Sequence, residues 1–218
     1  NVITVIFDFD GTLADTLGRS LTVANALAPD FGIPLVTPEA FEPLRDLSVT
    51  EIRQQLRIPA WKVPFFLRRL RRKMLDILPE LEFVAGMPET LRQLRSSGVR
   101  LGIVTSNDYT NVALFLDHHQ LRSVFDFVDG GARILGKGQR LRSILRRYRL
   151  KPSEVFYVGD EMRDIRAARQ VRIQAIAVTW GFNTPTALQS VQPDFLIDHP
   201  SQLWEICRQF VSQDLSHD

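Results

Sequence analysis

The chain is organised around the segment Phe7-Asp8-Phe9-Asp10-Gly11-Thr12-Leu13. The apolar run before it, Val2-Ile3-Thr4-Val5-Ile6, is short and rich in β-branched residues, which predicts a buried parallel strand. An ionised carboxylate in a dry interior is costly unless a cation or a hydrogen-bond donor pairs it. Because ligands of open α/β sheets bind beyond the carboxyl ends of the strands, the two acids in this segment mark a candidate site.

The spacing of Asp8 and Asp10 indicates what such a site could do. Residues at i and i+2 of an extended backbone point to the same side, and Gly11 allows a sharp turn after them. One carboxylate can then attack an electrophile while the other transfers protons, and a divalent cation can hold the charges together. The alternative is that Asp10-Gly11 marks a turn in which Asp10 caps a helix. That alternative leaves Asp8 unexplained.

The composition bounds the class of protein. With 218 residues, 44% of them hydrophobic, the chain can form one large domain or one domain with a smaller insertion. A single cysteine, Cys207, excludes an internal disulfide and is typical of a reducing compartment. No apolar run approaches the ~20 residues of a membrane span, and no basic segment precedes the first acids as in a signal peptide. We therefore expect a cytoplasmic protein with no membrane partner.

Arginine-rich segments account for much of the net charge of +2, most densely at residues 67–73 and 140–149. Leucines recur between these arginines at helical spacing, which predicts the solvated faces of amphipathic helices. Binding of nucleic acid would require a recognised module or exposed aromatic residues in addition to charge. We find neither, so no nucleic-acid partner is expected.

The periodicity of the remaining chain divides it into two parts. Helical patterns alone run to about residue 82, beginning with a helix from Ser20 to Ala28 that Pro29 is expected to end. Beyond that point strands alternate with helices, which predicts a doubly wound parallel sheet. The predicted strands are 99–104, 125–128, 154–158, 174–178 and 195–197, and the predicted helices are 38–44, 49–56, 63–78, 88–94, 109–119, a basic helix ending near 149, 164–170 and 201–211.

Polar residues follow two more of the predicted strands. Thr105-Ser106-Asn107 offers hydroxyls, an amide and turn N–H groups that could hold phosphate oxygens, although such residues are also ordinary helix caps. In Asp160-Glu161-Met162-Arg163-Asp164, three carboxylates lie within five residues and repel one another unless a cation is present. Mg²⁺ is the natural partner because it prefers oxygen ligands. A plain helix start would explain Glu161 but not Asp160.

Lys137 lies in a glycine-rich stretch, Gly131-Ala132-Arg133-Ile134-Leu135-Gly136-Lys137-Gly138, which nearly matches a phosphate-binding Walker A loop. The match fails at Gly138, where the hydroxyl that coordinates Mg²⁺ is missing. Position alone therefore predicts only a solvent-exposed lysine in a loop.

Asp8-Phe9-Asp10-Gly11-Thr12-Leu13 resembles motif I of the haloacid dehalogenase-like (HAD) hydrolases, and the three other motifs of that superfamily recur in order at Thr105, Lys137 and Asp160. The resemblance covers essentially the whole chain and is nearest to the phosphoglycolate phosphatase-like and β-phosphoglucomutase-like branch. It implies a Rossmannoid α/β core formed by residues 1–15 and 83–218, and a small all-helical C1 cap domain formed by residues 16–82.

The resemblance also implies a role for each motif. Asp8 would be the nucleophile, Asp10 the general acid and base, and Lys137 a cation that neutralises Asp8 and the phosphoryl group. Thr105, Ser106 and Asn107 would bind the phosphoryl group, and a role for Glu161 is left open. The implied Mg²⁺ ligands are Asp8, Asp10, Asp160 and Asp164.

The function that follows is a Mg²⁺-dependent phosphatase that hydrolyses a small phosphorylated metabolite, phosphoglycolate or a small sugar phosphate, through an aspartyl-phosphate. A phosphomutase and, in another class, a non-catalytic phospho-ligand binding protein are the alternatives. Arg45 lies where relatives carry a specificity loop, and a guanidinium suits a carboxylate on the leaving group, so we expect it to bind substrate. Asp46, beside it, replaces a glycine frequent in relatives. The protein is expected to be a monomer or a homodimer.

Overall fold

The computed structural model describes residues 2–131 and 136–211. Residues 132–135 of the Walker A-like stretch, and residues 1 and 212–218 of the predicted core, lie outside the described residues. The described chain forms one sheet of six strands, all parallel, in the order β3-β2-β1-β4-β5-β6. The strands are β1 Thr4–Phe7, β2 Arg100–Val104, β3 Phe127–Asp129, β4 Val155–Gly159, β5 Gln174–Val178 and β6 Phe195–Ile197.

Helices cover both faces of this sheet. Side chains of successive strand residues point to opposite sides, so both faces carry apolar side chains that must be buried. On β1, Val5 and Phe7 belong to one buried apolar cluster, whereas Ile6 belongs to the other. The flanking helices are α5 Met87–Ser96, α6 Tyr109–His118, α7 Lys137–Arg147, α8 Met162–Gln170, α9 Pro185–Ser190 and α10 Gln202–Val211. The predicted α/β fold class is confirmed.

Residues 16–82 are all described, and they contain no strand. Their helices are α1 Leu17–Phe31, α2 Pro38–Leu44, α3 Val49–Gln55 and α4 Lys62–Asp76. The chain segments that enter and leave this insertion are paired, since Asp15 N–H donates to Glu82 O at 2.9 Å and Val84 N–H donates to Leu13 O at 2.9 Å. The two chain segments that join the insertion to the sheet therefore run side by side.

Several predicted boundaries differ from those of the structure, and three of the differences concern the start or end of an element near a proline, a turn or the site. Helix α1 continues through Pro29 and ends at Gly32, whose φ of 60° is left-handed, because a proline in the last turn removes only one backbone bond. Strand β3 begins at Phe127 because Arg122–Val124 form a 3₁₀ turn before it. Lys137 is the first residue of α7 and is not in a loop. Gly138 is the second residue of α7. Backbone N–H groups in the first turn of a helix have no partner within the helix.

Helices α1 and α4, at 15 residues each, are the longest in the part of the chain that the structure describes. No helix within residues 2–131 and 136–211 combines the length and the apolar character that a bilayer crossing requires.

Candidate active site

The carboxyl edge of the sheet brings the predicted motifs together. β1 lies between β2 and β4, so Asp8, Thr105 and Asp160, which follow these three strands, emerge side by side. Asp8 N–H donates to Val158 O at 2.9 Å and so prolongs the pairing of β1 with β4 by one residue. The chain order of the strands reverses at β1, which is where open α/β sheets leave a crevice for ligands.

Three buried acids form the centre of the site. Asp8, Asp160 and Asp164 each offer a carboxylate oxygen, and these oxygens lie within 4.8 Å of one another. The Nζ of Lys137 lies 3.0 Å from Asp8 Oδ2 and also contacts Asp164 Oδ1. When all three carboxylates are ionised, the one ammonium leaves two negative charges uncompensated. Buried oxygen donors with that residual charge fit a small divalent cation such as Mg²⁺.

Asp160 is held by neutral donors. Thr12 Oγ1 donates to Asp160 Oδ1 at 3.0 Å, and Phe182 N–H donates to Asp160 Oδ2 at 2.8 Å. Gly11, with a φ of 73°, and Gly181 pack so closely on this carboxylate that a Cβ at either position would overlap it. The sequence pattern did not single out Thr12, because a hydroxyl inside motif I looks like an ordinary turn residue.

Asp10 lies apart from the three-acid cluster. Its carboxylate accepts a hydrogen bond from Asn107 Nδ2 at 3.1 Å, so the structure does not place this side chain with the other predicted metal ligands. Burial, followed by the nearby charge of Asp8, raises the pKa of Asp10 to about 6, although Asn107 opposes the rise. A carboxyl group with that pKa is protonated in part of the molecules at neutral pH, as a general acid must be.

The other buried groups of the site influence one another. Burial lowers the pKa of Lys137, but the carboxylates of Asp164 and Asp8 outweigh it and hold the pKa above its ordinary value. Burial raises the pKa of Asp164 to about 6, which Lys137 opposes. Burial, then repulsion from Glu161 and Asp164, raises the pKa of Asp160. A bound cation would favour the ionised form of these acids.

An arginine that the sequence analysis missed holds the segment after β2 by hydrogen bonds to its backbone. Thr105 is buried, and its Oγ1 accepts the N–H of Asn107 at 3.1 Å. Arg140, on α7, donates to Thr105 O at 2.6 Å and to Asp129 O at 2.7 Å, and forms an ion pair with the Asp129 carboxylate. The arginine-rich pattern of α7 predicted a solvated face, which hid this buried member. Arg140 thus joins the helix that begins at Lys137 to the ends of β2 and β3.

A cavity of about 340 Å³ opens above Asp10 between the sheet edge and the helical insertion. Its floor contains Asp10, Ser106, Asn107 and Asp160, and its walls are largely apolar. The apolar side chains come from α1 to α4, the turn after α4 and the loop after β5, and they are Leu17, Leu21, Ala24, Phe41, Val49, Leu67, Leu70, Met74, Leu75, Leu78, Leu81 and Phe182. Space for a small leaving group therefore exists directly beside the proposed general acid.

The structure does not bring Arg45 into this cavity. Its Nε donates to Phe182 O at 2.9 Å, its Nη2 donates to Gly181 O at 3.0 Å, and its Nη1 bonds to the Glu42 carboxylate. A guanidinium committed in this way has no free edge for a bidentate carboxylate. The geometry therefore argues against the predicted substrate-binding role, and Arg45 instead ties the segment after α2 to the loop after β5.

Glu161, whose role the sequence left open, lies at the edge of the cavity rather than in the acid cluster. Its carboxylate lies 2.5 Å from Nη2 of Arg163, and its N–H donates to Asp164 Oδ2 at 3.2 Å. Glu161 thus anchors the first turn of α8 and neutralises part of the charge of Arg163.

Comparisons with known proteins agree with this site. A family profile described as haloacid dehalogenase-like hydrolase matches residues 5–178, a span that includes each of the four motifs. The chain belongs to the haloacid dehalogenase-like hydrolase family. The chain is 41% identical to a phosphoglycolate phosphatase of Synechococcus elongatus over 209 residues, which cover 96% of this chain and 99% of that protein.

More distant relatives extend the comparison within the HAD family. A phosphoglycolate phosphatase of Xanthomonas campestris is 28% identical over 211 residues, with 92% of this chain and 94% of that protein covered. The crystal structure of a predicted phosphatase from Clostridium acetobutylicum has a TM-score of 0.80 at 18% identity. The match covers 97% of this chain and 100% of that chain. The protein is thus a phosphatase of the phosphoglycolate phosphatase-like branch of the HAD family.

Proposed function

We propose that this phosphatase uses Mg²⁺ to hydrolyse phosphoglycolate or a similarly small phosphomonoester, and that the reaction proceeds through a phosphorylated Asp8. The observation that carries the proposal is the contact of Asp8 with Lys137 at 3.0 Å, with Asp10 lining the adjacent cavity. We further propose that residues 16–82 act as the cap over a core built from residues 1–15 and 83–218.

In the first step an oxygen of Asp8 attacks phosphorus and the bond from phosphorus to the ester oxygen breaks. Lys137, 3.0 Å from Asp8, offsets the negative charge of this carboxylate and of the phosphoryl oxygens. In this proposal Thr105, Ser106 and Asn107 bind those oxygens. Asp8 is nearly completely buried, so its attack takes place away from bulk water.

Asp10 is the proton donor of the first step and the proton acceptor of the second. Its protonated form gives a proton to the departing ester oxygen, and the resulting carboxylate then removes a proton from the water that attacks the phosphorus of the aspartyl-phosphate. That attack breaks the bond from phosphorus to Asp8 and releases inorganic phosphate. Asn107 donates to the Asp10 carboxylate at 3.1 Å, and Asp10 lines the cavity in which the leaving group would lie.

Asp8, Asp160 and Asp164 would hold the Mg²⁺, and Thr12 and Phe182 N–H would orient Asp160 within that set. When bound, the cation supplies Lewis-acid stabilisation of charge on the phosphoryl group. The small size of the cavity and the phosphoglycolate phosphatase named among the relatives support a small substrate. We also propose a monomeric or homodimeric, cytoplasmic protein that binds no nucleic acid.

The test is a comparison of the purified protein with its Asp8→Asn variant. We expect Mg²⁺-dependent release of phosphate from phosphoglycolate and from p-nitrophenyl phosphate by the wild type, and a loss of several orders of magnitude in the variant, because an amide is a poor nucleophile. Circular dichroism should show an unchanged fold. Turnover by the variant above a few per cent of the wild-type rate would refute the role of Asp8. Isomerisation of a hexose 1-phosphate without phosphate release would instead show a phosphomutase.

A further inference from the structure

A second cavity, of about 560 Å³, adjoins the catalytic cavity at the start of α7 and α8. Every ionisable side chain that lines it, among the described residues, is a cation, and these are Arg71, Lys137, Arg140, Arg163 and Arg166. Arg71, Ser106 and Arg163 line both cavities. The boundary between the two cavities therefore carries two arginines beside Ser106, one of the residues predicted to bind the phosphoryl group.

Four of the five cations already interact with acids of the protein. Lys137 contacts Asp8 and Asp164, and Arg140 pairs with Asp129 at 3.1 Å. Arg163 pairs with Glu161, and Arg166 lies near Glu51, whose pKa is lowered mainly by hydrogen bonds with Ser48 and to a smaller extent by the charge of Arg166. The side chain of Arg71, in contrast, makes no hydrogen bond or ion pair with residues 2–131 or 136–211. Among the described residues, the N–H groups of the Arg71 guanidinium therefore have no partner and are available to a ligand at this boundary.

We propose that Arg71 is a specificity-determining residue that binds the carboxylate of the leaving group. The inference rests on the proposed function and names the residue that selects an acidic substrate. In phosphoglycolate one methylene separates the carboxylate from the ester oxygen, so the carboxylate must stay near the phosphoryl group. Burying it among the leucines of the catalytic cavity would be costly, whereas a guanidinium at the boundary can bind it bidentately.

The position of Arg71 gives this contact a second consequence. Arg71 belongs to α4 of the helical insertion, while Ser106 and Arg163, which share the boundary, belong to the sheet domain. A carboxylate bound there would connect the two parts and favour their closure around the substrate. Arg71 is exposed, so the contact must also offset the loss of freedom of a long side chain.

The test compares Arg71→Gln with the matched control Arg72→Gln. Arg72 is the next residue of α4 but lines a different groove, beside Trp61 and Phe65. We expect Arg71→Gln to lower kcat/KM for phosphoglycolate by roughly 10–100-fold, the scale of a charged hydrogen-bonded contact, and to spare p-nitrophenyl phosphate, which has no carboxylate. Arg72→Gln should spare both substrates. Arg71→Lys should recover part of the loss because it keeps the charge without the fork.

A binding measurement removes the dependence on turnover. In the Asp8→Asn background, calorimetry with phosphoglycolate and with inorganic phosphate should show that Arg71→Gln weakens only the first ligand. An equal loss on both substrates, an equal loss of both ligands, or no loss at all would overturn the role of Arg71. Wild-type turnover of p-nitrophenyl phosphate separates the two hypotheses: if it is present while phosphoglycolate is rejected, the Arg71 proposal fails and the phosphatase stands, whereas its absence refutes the proposed function.

Discussion

At the scale of single residues, the groups that hold a carboxylate determine what that carboxylate can do. Asp160 is almost completely buried, yet its described hydrogen bonds come from a hydroxyl and a backbone N–H rather than from a cation. Neutral donors fix the orientation of the carboxylate without cancelling its charge. Asp160 is therefore left able to contribute its full charge to a divalent ion, and Thr12 becomes a determinant of metal affinity.

Replacing Thr12 with valine tests this role. Valine has nearly the same shape but no hydroxyl, so one oxygen of Asp160 loses its donor and its fixed orientation. We expect the Mg²⁺ concentration for half-maximal activity to rise by roughly 10–100-fold, with a smaller effect on the rate at saturating Mg²⁺. Thr90→Val is the matched control, because Thr90 is also buried but donates to the carbonyl of Gly86 at the start of α5. Equal Mg²⁺ requirements in the two variants would contradict the assignment.

At the scale of elements, the loop after β5 connects the insertion to the sheet. Arg45 bonds to the carbonyls of Gly181 and Phe182, and Asn183 Nδ2 donates to Arg45 O at 2.6 Å. The ring of Phe182 packs edge-on against Phe41 of α2, with centroids 5.8 Å apart. The same loop supplies the N–H that holds Asp160. Disturbing this connection should therefore affect the metal site and the insertion together.

Arg45→Ala should reveal this structural role. Loss of the charged hydrogen bonds leaves two loop carbonyls without donors, which should cost roughly 1.5–3 kcal/mol of stability per bond at most and lower the melting temperature by several degrees. The values of kcat/KM for phosphoglycolate and for p-nitrophenyl phosphate should fall by similar factors. A selective loss on phosphoglycolate with an unchanged melting temperature would restore Arg45 as a substrate ligand.

At the scale of the whole molecule, folding brings together the acids that follow β1 and β4, and the repulsion between their negative charges lowers the stability of the folded state. Asp8, Asp160 and Asp164 converge only in the folded chain, and Lys137 neutralises part of their charge. A divalent ion that binds this cluster binds the folded state alone. The stability of the protein is therefore expected to depend on the metal concentration.

Adding Mg²⁺ to metal-free protein should raise its melting temperature. At a concentration of about 100 times the dissociation constant the gain is about 2.7 kcal/mol, which corresponds to a rise of about 5–10 °C for a chain of this size. The Asp160→Asn variant should lose most of this rise while staying folded without metal. A melting temperature that Mg²⁺ and EDTA leave unchanged in the wild type would argue against the metal site.

The sequence by itself determined the framework of this protein. Alternating strands and helices gave the α/β fold, and β5 and β6 were predicted to the residue, because buried strands need contiguous apolar residues. The same local patterns identified the acids, since motif I and the acidic motif are runs of consecutive residues. Helix ends at Pro29 and Lys137 were misplaced, because the turns that end or begin a helix depend on bonds that residue preferences do not record.

The tertiary structure alone decided which side chains serve one another. Thr12 meets Asp160 across 148 positions of sequence, and Arg45 meets Phe182 across 137, so neither contact leaves any mark on local periodicity. Arg45 and Arg71 carry the same charge on the same insertion, yet one is bound to loop carbonyls and the other lines the cavity boundary. The reason is physical: a charged side chain takes its role from the partners that packing places around it, and those partners come from distant segments of the chain.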